Sequence, residues 1–426
     1  MEKTRKQRTP WAWVPTLYFA QGLPYIAVMT LSVIMYKKFG ISNTDIALYT
    51  GWLYLPWVIK PFWSPFVDII STKRRWILVM QWMVAAAFAA IALTVPAPMF
   101  FRLSLGVFWI VAFVSATHDI AADGFYMLAL DEHQQSFYVG IRSTFYRIAS
   151  VAGQGALVVV AGLIEERTGS LTMAWQTVFF ILSALFLVFA LYHSAFLPRV
   201  ERPEGAERKG AGEITREFGK VFASFFTKPG IVTAIIFMLL YRLPEAFLIK
   251  MCMPFLVAAK GAGGLGLSTA EVGIVYGTIG VIFLTLGGIL GGLFASRIGL
   301  KKSIWWMAAC MTLPCLTFVY LAVCQPENLF AISTAIAIEQ FGYGFGFTAY
   351  MLYMMYFSEG EFKTSHYAIC TAFMALSMMI PGMFAGYIQE AIGYINFFWM
   401  VIICCVATVI VTIFADRRID PEYGKK

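Results

Sequence analysis

Charge is what this sequence lacks. Only 13% of its 426 residues are Asp, Glu, Lys or Arg, about half the share of an ordinary soluble protein. So few charges cannot coat a soluble globule, and the shortage also excludes a disordered chain, a coiled coil and a nucleic-acid-binding domain. Cysteine is scarce and odd in number. The seven are Cys252, Cys310, Cys315, Cys324, Cys370, Cys404 and Cys405, all in or beside apolar stretches and none in a C-x-x-C pair. That usage points to buried packing thiols rather than a disulfide framework or a zinc site. Catalytic signatures are missing too: there is no Ser-His-Asp set, H-E-x-x-H or P-loop. GAGGLG at 261–266 has the letters of a dinucleotide fingerprint, but no strand precedes it and it falls in a loop. His118 with Asp119 and Asp123 offers too few ligands for an intramembrane metal. No enzyme activity, cofactor or metal is expected.

What the chain has instead is apolar length. Hydrophobic residues make up 60% of it, and a spanning helix needs about 20 of them in a row. Twelve stretches qualify: 13–36, 46–66, 76–95, 101–130, 137–164, 174–196, 231–257, 272–294, 303–324, 329–357, 364–388 and 395–415. The first follows Lys3, Arg5, Lys6 and Arg8 but is too long for a signal-peptide core, and reads as a retained helix. The expected class is an all-α membrane protein of twelve transmembrane helices in two parallel six-helix repeats. Residues 1–197 and 231–426 are expected to form the two bundles, and 198–230 a cytoplasmic linker with an amphipathic stretch, 213–226, along the membrane surface. With the N-terminus in the cytoplasm, 22 basic residues fall in inside loops and five in outside loops. That bias expects both termini inside.

An internal repeat supports the two halves. GISNTDIALYTG at 40–51 parallels GLSTAEVGIVYG at 266–277. Each carries a capping-box spacing just before a span, Ser42 with Asp45 and Ser268 with Glu271. A second pairing follows: the loop Asp68 to Arg75 matches Ser296 to Lys302. Six spans is an even number, so both copies run the same way through the membrane. That is the repeat pattern of major facilitator transporters, whose binding site lies near the midplane between halves. The basic residues of these loops, Arg74, Arg75, Lys301 and Lys302, are either topology signals or, with Asp68, a latch on the cytoplasmic gate.

Ionisable groups deep in a bilayer cost several kcal/mol and survive beside a partner or a wet cavity. The candidates are Lys60, Asp119, Asp123, Arg142, Arg147, Arg242, Glu245, Lys250 and Glu339. Asp119 and Asp123 share one face of the fourth span. Depth matches them to the fifth span as Asp123–Arg142 and Asp119–Arg147. These are structural ion pairs or, because two like charges on one face favour keeping one protonated, a proton site. Arg242 and Glu245 flank Pro244 in the middle of the seventh span, and Pro24 interrupts the first span in the same way. Paired interruptions of this kind point to the substrate site. Glu339 and Asp119 lead the proton-carrier candidates, with Asp123 and Glu245 beside them. Lys250 is placed to snorkel to the interface. In the tenth span Gln340, Tyr343 and Tyr350 lie among Gly342, Gly344 and Gly346, either as packing or as a surface for a sugar ring.

The opening Leu17-Tyr18-Phe19-Ala20-Gln21-Gly22-Leu23-Pro24-Tyr25 resembles that of AmpG-type permeases of the major facilitator superfamily. His118-Asp119-Ile120-Ala121-Ala122-Asp123 is similar to their Q-D-I-x-x-D motif, with histidine for glutamine. Tyr146-Arg147 matches a pair in the fifth span, and Phe362 to Ala368 resembles F-x-A-T-Q-x-A, with His366 for glutamine. The resemblance covers nearly the whole chain, although these permeases often carry two further C-terminal helices. It implies a monomeric, multi-pass protein of the bacterial inner membrane that imports muropeptide or amino-sugar cargo together with protons. Gln21, Tyr25, Arg147, Arg242, Gln340, Tyr343 and Tyr350 would line the cavity. Relatives that carry siderophores or coenzyme A esters keep other anionic cargo open. Export, and an intramembrane enzyme or receptor, are the competing classes.

Overall fold

The computed structural model describes residues 9–130, 132–199, 211–360, 362–421 and 423. Helices dominate because backbone groups in lipid have no water to bond and must be satisfied within the segment. Among the described residues, nine helices are long and apolar enough to cross a membrane. The last of these, Ser365–Asp416, turns at Gly393 (φ 75°) and supplies two crossings. Two more spans complete twelve. One is interrupted between Trp52 and Leu55; the other, Leu329–Ser358, is diluted by glycines, tyrosines and Glu339.

In chain order the spans are α1 (Pro10–Lys38), α2 (Asn43–Trp52 and Leu55–Ile70), α3 (Lys73–Thr94) and α4 (Phe100–Ala129). Then come α5 (Glu132–Ser150 continuing through Val158–Thr168), α6 (Leu171–Phe196) and α7 (Ile231–Leu240 and Leu243–Val257). The rest are α8 (Thr269–Val272 continuing through Val281–Ile298), α9 (Leu300–Thr312 and Leu316–Cys324), α10 (Leu329–Ser358), α11 (363–392) and α12 (394–416). Twelve crossings leave the first and last helices starting and ending on one face, here the terminal face; the opposite one is the far face.

The expected helix starts hold. The Ser268 side chain accepts the Glu271 N–H, and Glu271 accepts the Ser268 N–H in return, a complete capping box. At Ser42 only half the box forms. Ser42 Oγ accepts from the Asp45 N–H, and the shorter Asp45 carboxylate takes the Ser42 hydroxyl rather than its amide. Pro244 opens a new helical segment after a turn at Tyr241–Arg242, and Pro24 precedes a wide π turn at Ala27–Leu31. Two further π turns, Val151–Leu157 in α5 and Gly273–Gly280 in α8, pack on each other across the two halves. Wide turns of this kind are concentrated at functional sites.

The repeat extends to the basic loops. Arg74 at the start of α3 donates to the carbonyls of Ser194 (2.5 Å) and Leu197 (3.2 Å), at the end of α6. Lys301 at the start of α9 donates to the Ile419 carbonyl (3.1 Å), just past α12. Cations on helix C-termini are favourable partners for the last carbonyls. In this state both residues bind within their own half, while Arg75 and Lys302 are exposed. The side chains of Asp68 and Ser296 lie outside the described residues.

The two halves meet most tightly on the far face, along a glycine seam. A Cβ on Gly386 of α11 would fall 1.9 Å from the Asn43 carbonyl oxygen of α2. One on Gly277 of α8 would fall 2.0 Å from the Gln154 carbonyl oxygen of α5, and one on Gly162 of α5 would fall 2.4 Å from the Ala270 nitrogen. Only glycine allows backbones this close.

The linker helix, Ala211–Phe226, docks its C-terminal end on the bundle. Phe225 is fully buried beside Phe357 and Phe373. His366 Nε2 lies 3.0 Å from Ser224 Oγ and 3.3 Å from the Val221 carbonyl oxygen. These contacts fix the end of the helix on α10 and α11, Phe226 stays exposed, and Phe222 reaches Phe62 of α2 in the other half.

Gly344→Ala should lower the unfolding midpoint in detergent, because its Cβ would meet the Leu284 carbonyl oxygen at 2.1 Å. Overpacking costs about 1–3 kcal/mol. Gly292→Ala, which faces open space, should leave the midpoint unchanged; equal effects of the two would contradict the packing.

Candidate functional site

The charged residues predicted from sequence collect at mid-depth around the meeting of the halves. The expected pair Asp123–Arg142 is present at 3.2 Å. Tyr18 of α1 donates to Asp123 Oδ1 (3.1 Å), and the Arg142 guanidinium lies 4.5 Å from the Tyr18 ring centre and 5.1 Å from that of Tyr126. Both charged side chains stay about a third exposed, 30% for Arg142 and 38% for Asp123.

The expected pair Asp119–Arg147 does not form. Asp119 Oδ2 instead accepts from Trp57 Nε1 (3.2 Å) and faces Lys60 Nζ at 3.9 Å, both from α2. Depth along α4 and α5 matched the two residues, but direction around the helices did not. Gln21 of α1 also reaches Asp119, yet its Oε1 is buried with no partner. Tyr25 packs edge-on against Trp57, with ring centres 5.3 Å apart.

Arg147 is thereby left over. Among the described residues it joins no ion pair. Its guanidinium crosses to the other half, where a Cβ on Gly288 of α8 would sit 3.2 Å from its Nη2. It lies within electrostatic reach of Tyr343.

In the second half Arg242 and Glu245 close a bidentate pair on one helix. Nε donates to Oε2 at 2.9 Å and Nη2 to Oε1 at 2.7 Å, with both residues buried. Nη2 also donates to Tyr343 OH (3.1 Å), and Phe347 sits 4.5 Å below the guanidinium. The turn before Pro244 places both charges on one side. Tyr350 is fully buried, donates to the Met238 carbonyl (2.7 Å), and has its ring centre 5.6 Å from the Arg242 guanidinium.

Glu339 is buried, and its Oε2 accepts from Gln340 Nε2 at 2.8 Å. Gln340 Nε2 lies 3.4 Å from Tyr276 OH. Among the described residues no cation lies within ion-pair distance of Glu339. Lys250 does not snorkel. It is 9% exposed, and its ammonium donates to Thr50 Oγ1 of α2 at 2.6 Å, across the halves and beneath the glycine seam.

Sequence reasoning missed a second polar chain within the first half. Gln81 Nε2 lies 3.1 Å from His118 Nε2, Gln81 Oε1 accepts from His193 Nδ1 (2.9 Å), and His193 Nε2 lies 3.0 Å from Thr16 Oγ1. The available signal was Gln81 within the apolar run of α3 and His193 near the end of α6. His118 thus turns into the bundle while Asp119 faces the junction, and His366 holds the linker helix. Neither histidine that replaces a family glutamine stands among the junction charges.

Residues 16–362 match the family model described as Major Facilitator Superfamily. The chain is 26% identical over 420 residues to "Putative transporter AmpG 4" of Rickettsia conorii, covering 95% of this chain and 96% of that one. It is 22% identical over 420 residues to the anhydromuropeptide permease of Escherichia coli, covering 95% and 79%. Among solved structures, a D-xylose–proton symporter superposes with a TM-score of 0.72 at 14% identity, covering 98% and 99%. A bacterial homologue of the human lysosomal transporter Spinster, inward-facing and unoccupied, gives 0.68 at 16%, covering 97% of each chain. These neighbours share the twelve-helix, two-repeat fold.

Removing one partner of a buried ion pair strands the other, at about 3–5 kcal/mol. Arg242→Met should therefore lower the unfolding midpoint strongly, and adding Glu245→Met should restore most of the loss. Additive losses in the double variant would show that the two residues do not act as a pair.

Proposed function

We propose that this chain, which belongs to the Major Facilitator Superfamily, is a proton-coupled importer of anionic amino-sugar cargo, muropeptides above all. It works by alternating access in the bacterial inner membrane, as a monomer with both termini in the cytoplasm. Residues 1–197 and 231–426 act as the rocking halves, and 198–230 as the linker between them.

The observation that carries this reading is the unpaired Arg147 between the halves. Lys60, Arg142 and Arg242 each have a carboxylate, whereas Arg147 offers its donors to the junction. A guanidinium recognises a carboxylate in bidentate fashion, and a charge-assisted bond of that kind contributes about 1.5–3 kcal/mol. Gln21 adds a buried acceptor without a donor, suited to a sugar hydroxyl or an amide N–H. Tyr25, Trp57 and Tyr343 supply flat faces beside these groups. The names of the relatives, an anhydromuropeptide permease and AmpG-type transporters, support the same cargo class.

Glu339 is the proton carrier in this reading. A bare carboxylate buried beside Gln340 with no cation would cost several kcal/mol, and a bound proton removes that cost. Asp119 differs, since Lys60 and Trp57 already compensate it; we assign it and Asp123 to positioning α4 against α2 and α5. Glu245 neutralises Arg242.

Uptake of an anhydro-muramyl disaccharide peptide into proteoliposomes should require an inward proton gradient and collapse with an uncoupler. Arg147→Met should cut uptake about ten- to a hundredfold, the equivalent of that bond. Glu339→Gln should abolish accumulation against a gradient while leaving cargo exchange intact. Uptake indifferent to the uncoupler would remove the coupling, and wild-type uptake by Arg147→Met would remove the anion site.

A further inference from the structure

On the far face the two halves are joined by a pair of reciprocal polar contacts. Glu165, near the end of α5, takes the hydroxyl of Thr269, the first residue of α8: Thr269 Oγ1 donates to Glu165 Oε2 at 2.7 Å. Glu390, near the end of α11, takes Thr44 at the start of α2. The Thr44 N–H donates to its Oε1 at 3.0 Å, and the Thr44 hydroxyl donates to its Oε2. Thr44 is the second residue of its helix and Thr269 the first of its own, so the two threonines stand one position apart in the repeat. Each half thus contributes one carboxylate and one threonine, and each carboxylate grips the opposite half.

The contacts sit directly over the glycine seam, since Gly162 lies against Ala270 and Gly386 against Asn43. The last two residues of α1, both lysines, serve them. Lys38 Nζ lies 3.4 Å from Glu165 Oε1. Lys37 donates to Asn43 Oδ1 at 2.7 Å and lies within electrostatic reach of Glu390. Asn43 in turn donates to Gln389 Oε1 (2.5 Å) and Tyr394 OH (3.0 Å).

We infer that Glu165 and Glu390 are the latch residues of the far-face gate, two reciprocal clasps that hold the closed state and must both release before cargo can enter from that side. The geometry argues for a gate rather than for bundle stability. Both contacts cross between halves, and the Glu165 carboxylate is shared with Lys38 of its own half. Alternating access requires this seam to open, and breaking the seam breaks both clasps together. The two clasps act on one equilibrium, so their effects multiply. The inference stands whatever the cargo and whatever ion drives it.

The test uses the full chain with its seven cysteines replaced, reconstituted without cargo or gradient. Spin labels go on Arg167→Cys and Ala262→Cys, exposed positions on the far face of the two halves. The far-closed distance should dominate the parent protein. Glu165→Ala and Glu390→Ala should each raise the ratio of far-open to far-closed population about three- to tenfold, and the double variant about ten- to a hundredfold. Thr269→Val should match Glu165→Ala, whereas Thr269→Ser, which keeps the hydroxyl, should match the parent. A double variant with the parent's distance distribution would overturn the inference. So would a Thr269→Ser shift as large as that of Thr269→Val, since the hydroxyl would then be irrelevant. Failure of muropeptide uptake or of proton dependence would leave these distances unchanged, so the two readings fail separately.

Discussion

A charge cannot rest in hydrocarbon without a partner, and the interior of this protein is arranged around that fact. Five cations and four carboxylates lie at membrane depth. Lys60, Arg142 and Arg242 are each matched by a carboxylate. Three groups are left without an opposite charge among the described residues: Arg147, Lys250 and Glu339. They are not scattered. Arg147 and Lys250 both cross from one half to the other. Glu339 lies in α10, which packs along α8, the helix that Arg147 touches. Two of the three surplus charges thus lie where the halves meet, and the third lies one helix away.

The two repeats share a skeleton and differ in chemistry. Helix caps at Ser42 and Ser268, and cations on helix ends at Arg74 and Lys301, recur at nearly the same spacing. The ion pairs do not recur. The first half builds its pairs between neighbouring helices, so that Asp119 ties α4 to α2 and Asp123 ties α4 to α5. The second half closes its pair within one helix, across the break that Pro244 makes. A pair between helices responds when those helices shift; a pair within one helix travels with it.

The twelve spans were legible in the sequence because apolar run length is a one-dimensional property. The repeat was legible for the same reason, since caps and basic loops keep their spacing. Depth was legible as well, and it correctly matched Asp123 with Arg142. Direction around a helix axis was not. It needs the crossing angles of neighbours, so Asp119 was assigned Arg147 when Trp57 and Lys60 of α2 held it. Lys250 was read from its distance to a helix end, which says nothing of the partner in the other half. The linker helix shows the same limit. An amphipathic face announces that it will be covered, and lipid and protein satisfy it equally; the pattern alone did not single out Phe225 as the residue buried in the bundle or His366 as the one that holds it.

The glycine seam has a thermodynamic consequence of its own. Side chains that interdigitate at a closing interface lose rotamer freedom, up to about 2 kcal/mol for a long one. Glycine has none to lose. A joint made of bare backbone at Gly162, Gly277 and Gly386 can mate and part without freezing and thawing side chains each time. Its closing equilibrium can then lie near balance, where a handful of hydrogen bonds or a single bound solute suffices to tip it.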